Sequence, residues 1–259
     1  MGVFDAVFAS SVRRAVLAEL SERPRQRRDL LDDVDASKSA VYNALNELRD
    51  RDLLREGRTR RWETTGLGDL VAEYVAARER TGDVLSTHAE YWTTHDASPL
   101  PEAFRTTLGA LAGAERLSSP DAEPFRVVGT VADVIERADR VALATPIYHD
   151  RDAAALERVA CEAEVRLVLA PSVLAEVEGR EDADRDADNP AVRVGEPTAT
   201  VLVTDDSLLL ALPHEDGTHD SGEKLLVDTA RAREWGERLF EYHWQAATPL
   251  DAIERPAQH

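Results

Sequence analysis

DASKSAVYNALNELRDRDLLREGRTRRWETT, residues 35–65, carries two different periods in one run. From Ser37 to about Arg51 the apolar residues Val41, Leu45 and Leu48 recur at helical spacing, and Ser37 stands where an N-cap hydroxyl belongs. Then the period shortens. DLLRE and RRWETT read as two short strands, and Gly57-Arg58-Thr59 supplies the hairpin tip between them. Opposite the apolar stripe the helix presents Ser37, Lys38, Ser39, Tyr42, Asn43 and Asn46, with no Asp or Glu anywhere from Ser37 to Asn46.

That acid-free face is unusual for this chain. Its 259 residues hold 50 acidic and 31 basic side chains, a formal net charge of -19. The charge is unevenly spread: residues 1–80 carry 15 basic and 15 acidic groups and net zero, so residues 81–259 carry the whole excess. Only the first part is suited to approach a polyanion. Lysine is confined to Lys38 and Lys224, and acid excess with lysine depletion is the balance that keeps a protein soluble at molar salt; the reading is a halophile's protein. No run of 18 apolar residues exists and the N-terminus lacks a basic start followed by an apolar core, so no membrane contact and a cytoplasmic location are expected. Cys161 is the single cysteine, which excludes an internal disulfide; in LERVACEA it reads as a buried, inert thiol.

Working outward, SSVRRAVLAELSERP predicts a helix over residues 10–24 and QRRDLLDDVD a short second one, with Asp35-Ala36 as the turn into the third. GLGDLVAEYVAARERT predicts a fourth, with Leu70, Val71, Tyr74 and Val75 apolar. Helices with a terminal β-hairpin make a winged helix-turn-helix over residues 1–80. Residues 81–124 read as a helical connector packing on both sides. From Phe125 to 259, strands (FRVVG, RVALATP, EVRLVLAP, AVRVGEP) alternate with helices, and TATVLVTDD with LLLALPH forms a hairpin before a long closing helix. The expected fold class is α+β / α/β, a winged helix-turn-helix followed by a mostly parallel, sensor-like α/β domain.

The side chains point to function in the same order. Asn pairs with adenine edges, Ser and Lys hold phosphate, and Tyr meets phosphate or a thymine methyl, so Ser37, Lys38, Ser39, Tyr42, Asn43 and Asn46 form a candidate DNA-reading face. Arg58 and Arg60 at the hairpin tip are candidate phosphate or minor-groove contacts, with Arg55 and Arg61 in support; the competing reading is ion pairs with Glu56 and Glu63. Arg25, Arg27 and Arg28 either touch flanking backbone or pair with Asp29 and Asp32. ATPIYHD ends a strand ahead of a helix, which makes Thr145, Tyr148 and His149 candidates for a ligand pocket against routine loop chemistry. PHEDGTHD, residues 213–220, reads as a solvated loop in preference to a metal site, and GREDADRDADNP, residues 179–190, as another. GxSxG, Walker and HExxH motifs are missing, and a phospholipase-D-like domain would need a lysine two residues after its histidine, where His214 has Asp216; no enzyme and no cofactor are expected.

Across SSVRRAVLAEL, RRDLLDDVDASKSAVYNALNELRDRDLL, PFRVVGTVADVIERADRV, EVRLVLAPSVLAEV and TVLVTDDSLLLAL, the chain resembles haloarchaeal winged-helix transcriptional regulators with a FilR1-type C-terminal domain; TrmB-like regulators are a related match. The resemblance implies an archaeal DNA-binding transcription regulator, a homodimer on double-stranded DNA, whose C-terminal domain senses a small-molecule effector or dimerises. The alternative class is a ligand-sensing or protein-interaction module that uses the winged helix for docking. That use favours an acidic or apolar helix face, unlike the one here.

Overall fold

The computed structural model describes residues 2–120, 122–178, 190–219 and 222–253, and these divide into two compact units, residues 1–80 and residues 81–259. The acidic stretch at 179–189 lies outside the described residues.

In the first unit, α1 (Val3–Phe8) and α2 (Ser11–Glu22) precede a two-residue strand, β1 (Arg25–Gln26), then α3 (Arg27–Asp33) and α4 (Lys38–Arg49). Strands β2 (Leu54–Glu56) and β3 (Arg61–Thr64) form the hairpin, and α5 (Gly66–Thr87) follows, its residues from 81 onward counting with the second unit. Ser10 and Ser37 cap α2 and α4, each hydroxyl accepting an amide proton of the first turn at 3.3 Å. The core joins Val16, Leu17, Leu20, Leu30, Val41, Leu45, Leu48 and Trp62, all fully buried. Burying one such aliphatic side chain contributes about 1.5–3 kcal/mol, so the α4 stripe alone fixes which face looks outward. Two details exceed the sequence reading. β1 adds a third strand, in the order β1-β3-β2. Along α5, Val71 and Val75 are buried while Leu70 and Tyr74 face outward, at 66% and 55% exposure. Gly68 is required where α5 meets the hairpin base, because a Cβ there would stand 2.0 Å from the Leu53 carbonyl oxygen.

The second unit contains α6 (Ala89–Thr94), α7 (Glu102–Arg105), a 3-10 turn at Leu108–Leu111, β4 (Glu115–Ser118), α8 (Arg126–Glu136), β5 (Arg140–Thr145), α9 (Asp150–Val159), β6 (Glu164–Leu169) and α10 (Pro171–Glu178). Strands β7 (Ala191–Val194), β8 (Thr200–Thr204), β9 (Leu208–Ala211) and β10 (Glu223–Val227) come next, then α11 (Ala230–Ala246), β11 (Thr248–Pro249) and a 3-10 turn at Leu250–Ala252. Among the described residues the sheet has eight strands in the order β11-β7-β6-β5-β8-β9-β10-β4. One face packs on α8 and α9, the other on α11 and the residues of α6 to the first 3-10 turn.

Four expectations need correction here. The α/β class holds, but the sheet is mixed and not mostly parallel: β5-β6 and β6-β7 are parallel, whereas β5-β8, β8-β9, β9-β10, β10-β4 and β7-β11 are antiparallel. β8 and β9 are joined by a three-residue return, which forces antiparallel pairing, and β8 enters the sheet beside β5 by a crossover from β7. FRVVG is not a strand but the start of α8, because Val127, Val128, Val131, Ala132 and Ile135 sustain one apolar helix face from its beginning. The stretch 81–124 is not a separate connector: Tyr91, Leu100, Leu108 and Leu111 lie in the core with β8 and β9, and β4 is an edge strand of the sheet. Cys161 is exposed, not buried, since α9 ends at Val159 and the cysteine falls beyond its apolar stripe.

Candidate nucleic-acid interface and a polar row in the second unit

Outside the buried stripe of α4, Ser37, Lys38, Ser39, Asn43 and Asn46 are exposed and Tyr42 is half-buried. The hydroxyls of Ser37 and Ser39 lie 3.1 Å apart at the helix start. Asn43 and Asn46 form no side-chain hydrogen bond with the described residues, so their amides face solvent with donors and acceptors free. Tyr42 is flanked by two cations, the Arg27 guanidinium 5.0 Å and the Lys38 ammonium 5.5 Å from its ring centroid. Arg27 also reaches to 5.6 Å from the ring of buried Trp62, which ties α3 to β3. An ion pair between Arg13 of α2 and Glu47 turns the one acid next to the outward face inward.

At the hairpin, Gly57 donates to the Arg61 carbonyl at 2.7 Å and Arg60 to the Gly57 carbonyl at 3.1 Å, closing a tight turn. Arg60 holds φ at +56°, a left-handed conformation that glycine usually fills. Arg58 and Arg60 are exposed and have no ion-pair partner among the described residues. Arg55 pairs with Glu63 at 2.8 Å, as the competing reading has it. Arg25 likewise is spent locally, on Glu19 and Asp33.

In the second unit Thr145 ends β5 buried, its hydroxyl 3.1 Å from that of Thr200 and 3.0 Å from the Ile147 carbonyl, to which it donates. Tyr148 packs partly buried on the α8-α9 core, and His149 is the N-cap residue of α9 without a side-chain capping bond. Two residues that the sequence reading did not single out join them. Lys224 on β10 is 4% exposed, a rare burial for an ammonium. Asp152, in the first turn of α9, is held above the usual carboxylate range by burial, while the charges of His149 and Lys224 pull it back. Burial, then the charge of Lys224, pushes His219 below the usual histidine range. Among the described residues no cluster of three His, Cys, Asp or Glu side chains is arranged to hold a metal, and no helix is long and apolar enough to cross a membrane. A groove of about 410 Å³ beside α11 is lined by Arg140, Arg166, Glu237 and Glu241, which pair with one another (Arg166–Glu241 at 3.4 Å, Arg140–Glu237 at 3.8 Å).

Residues 4–84 match the family of the HVO_A0261 N-terminal domain, and residues 124–246 match the middle domain of the methanogenesis regulatory protein FilR1. The methanogenesis regulatory protein FilR1 of Methanothrix harundinacea (strain 6Ac) is 24% identical over 257 residues, covering 95% of this chain. The chain spans 57% of that relative's length. Among solved structures, the archaeal chromatin protein TrmBL2 is 12% identical with a TM-score of 0.41, over 91% of this chain and 92% of its own. A phospholipase D family member, Nuc from Salmonella typhimurium, is 11% identical with a TM-score of 0.39, over 53% of this chain and 97% of its own. The chain thus carries a region similar to the HVO_A0261 N-terminal domain followed by one similar to the FilR1 middle domain.

Proposed function

We propose that the chain is a double-stranded-DNA-binding transcriptional regulator in which α4 enters the major groove. Ser37, Lys38 and Ser39 hold phosphate at its start, Asn43 and Asn46 read base edges, and Arg58 and Arg60 grip the flanking backbone or minor groove. The observation that carries this reading is the outward face of α4. It is acid-free, its amides have no partner within the described residues, and it stands in a unit of zero net charge within a chain of -19. The second unit serves as the regulatory half, sensing an effector.

The protein acts as a homodimer in this reading. Leu67, Leu70 and Tyr74 recur at three- and four-residue spacing along α5, all exposed, and Phe4 extends the same patch with its ring centroid 4.7 Å from that of Tyr74. An apolar stripe of that period suits a second copy of itself. Pairing would set two copies of α4 about 34 Å apart, one turn of DNA.

Fluorescence anisotropy with genomic fragments of the native host tests the proposal. Asn43→Ala and Arg58→Ala each should weaken specific binding at least tenfold while circular dichroism stays unchanged. Wild-type protein that binds no fragment above a shuffled control, at any salt, would sink it.

A further inference from the structure

Helix α4 carries a third stripe between its buried face and its amide face. At 3.6 residues per turn, Lys38, Tyr42 and Arg49 fall within about 40° of one another, with Val41, Leu45 and Leu48 on one side and Asn43 and Asn46 on the other. The rest of the first unit sets two more residues against this stripe. β1 pairs with β3 so that Arg25 stands opposite Trp62, and the chain enters α3 directly after β1, which brings Arg27 to the same place.

The result is one row in which cations and rings alternate. The Lys38 ammonium lies 5.5 Å from the centroid of Tyr42, and the Arg27 guanidinium lies 5.0 Å from Tyr42 and 5.6 Å from Trp62. The Arg49 guanidinium closes the row, 6.0 Å from Trp62. Every step is within the reach of a cation–π contact. Lys38 and Arg27 are exposed and have no ion-pair partner among the described residues, and Arg49 reaches only its exposed chain neighbour Asp50, at 3.2 Å. Rings hold these cations where carboxylates would neutralise them, in a chain whose acids number 50.

Trp62 is the telling member. It is 1% exposed, and its Nε1 atom is buried with no hydrogen-bond partner among the described residues. An unmatched buried donor is costly, and phenylalanine or leucine would fill the core without one. What tryptophan offers over either is the best ring face for a cation, and two guanidiniums lie against it.

We infer that Lys38, Arg27 and Arg49 form a track for the phosphates of one DNA strand, running from the start of α4 to the hairpin, and that buried Trp62 is a positioning residue that sets two of the three cations without touching DNA. The row borders the amide face, which is where the backbone lies when that face reads bases in the groove. The inference rests on the DNA-binding reading given above and adds Arg49 and Trp62 to it.

The test measures the slope of log affinity against log KCl for the full chain, on a bound genomic fragment and on its shuffled control, at salt concentrations where circular dichroism shows each protein folded. Arg27→Ala and Arg49→Ala should each shift the slope by about 0.9 in the positive direction, and together by about 1.8, on both DNAs alike. Trp62→Leu should shift it the same way and add nothing in the background of both arginine variants. Trp62→Phe, which keeps a ring face, should restore most of the wild-type slope. Should Trp62→Leu fail to fold, Trp62→Met makes the same comparison with a longer side chain. A packing role alone would lower the melting point of the tryptophan variants and leave the slope where it was. Unchanged slopes in the arginine variants, or a folded ringless variant with the wild-type slope, would overturn the inference while DNA binding stands. A wild-type chain that binds no DNA at any salt removes the DNA reading and the track together.

Discussion

The guanidinium of Arg27 stands 5.0 Å over the ring of Tyr42 and so places a cation from α3 onto the outward face of α4. Neither residue is buried, so the contact contributes about 0.5–1 kcal/mol to stability. Its larger effect is positional, fixing a charge beside Asn43 and Asn46. Tyr42→Phe should leave both melting and DNA binding close to wild type, because the ring keeps the cation. Arg27→Ala should weaken binding across all sequences and lower the dependence of log affinity on log salt by about one charge. An Arg27→Ala variant whose salt dependence equals the wild type's would remove Arg27 from the interface.

Arg60 sets stability against function. A non-glycine residue in the left-handed region costs on the order of 1 kcal/mol, and Arg60 accepts that cost at an exposed turn with no compensating ion pair among the described residues. Arg60→Gly is therefore expected to raise the melting point of the first unit slightly while reducing DNA affinity several-fold. If affinity is unchanged, the arginine is at the tip for some reason other than DNA.

How far the sequence revealed this arrangement depended on whether a segment's periodicity had one reading. α4 was legible because Val41, Leu45 and Leu48 fit only a helix and because Ser37 is an obvious cap. The opening of α8 was not, since adjacent valines score as strand until Val131 and Ile135 extend the stripe. The short edge strand ERLS has no alternation to find, so β4 was hidden inside a supposed connector. The polar row at the end of β5 was half legible. Thr145, Tyr148 and His149 follow from the rule that strand ends hold ligands, but Lys224 sits in a strand whose register no local pattern shows. A lysine in sequence reads as surface.

Gly236 has a packing role that one methyl group would expose. A Cβ at that position would lie 2.5 Å from Cδ1 of Leu208 and 3.0 Å from Cγ2 of Val203, so α11 approaches the β8-β9 hairpin too closely for any side chain. Gly236→Ala gains helix propensity of about 1 kcal/mol but overpacks a site whose neighbours are themselves buried, at a cost of about 1–3 kcal/mol. The balance should be a lower denaturant midpoint for the second unit, with the first unit unaffected. A midpoint above the wild type's would mean that Leu208 moves aside freely.

Asp205 gives the second unit an acid-sensitive latch. Burial raises its pKa, but bonds from the Arg140 side chain and from the amides of Arg140 and Asp139, at 2.7–3.0 Å, reverse this and leave it below the usual range. A carboxylate whose folded pKa is depressed contributes stability above its unfolded pKa, about 3.9, and loses that contribution as pH falls through the folded value. Asp205→Asn should destabilise the protein at neutral pH and flatten the loss of stability on acidification below about pH 4. Parallel pH profiles for variant and wild type would show that Asp205 titrates alike in both states.

Net charge makes the final case. Thirty-five acids and 16 bases in residues 81–259 repel one another in the compact state, and screening is what limits that cost. Stability should therefore rise steeply from millimolar to molar KCl, with the second unit melting first in dilute buffer. DNA binding should respond differently from that of an ordinary regulator. Counterion release drives little association in molar salt, while the same salt screens the acidic half from the duplex, so the salt dependence of affinity is expected to be shallow or inverted. Parallel titrations of melting and anisotropy in KCl check both. Affinity that collapses between about 0.5 and 2 M KCl in a protein that stays folded would show that phosphate contacts dominate and that the amide face of α4 contributes little.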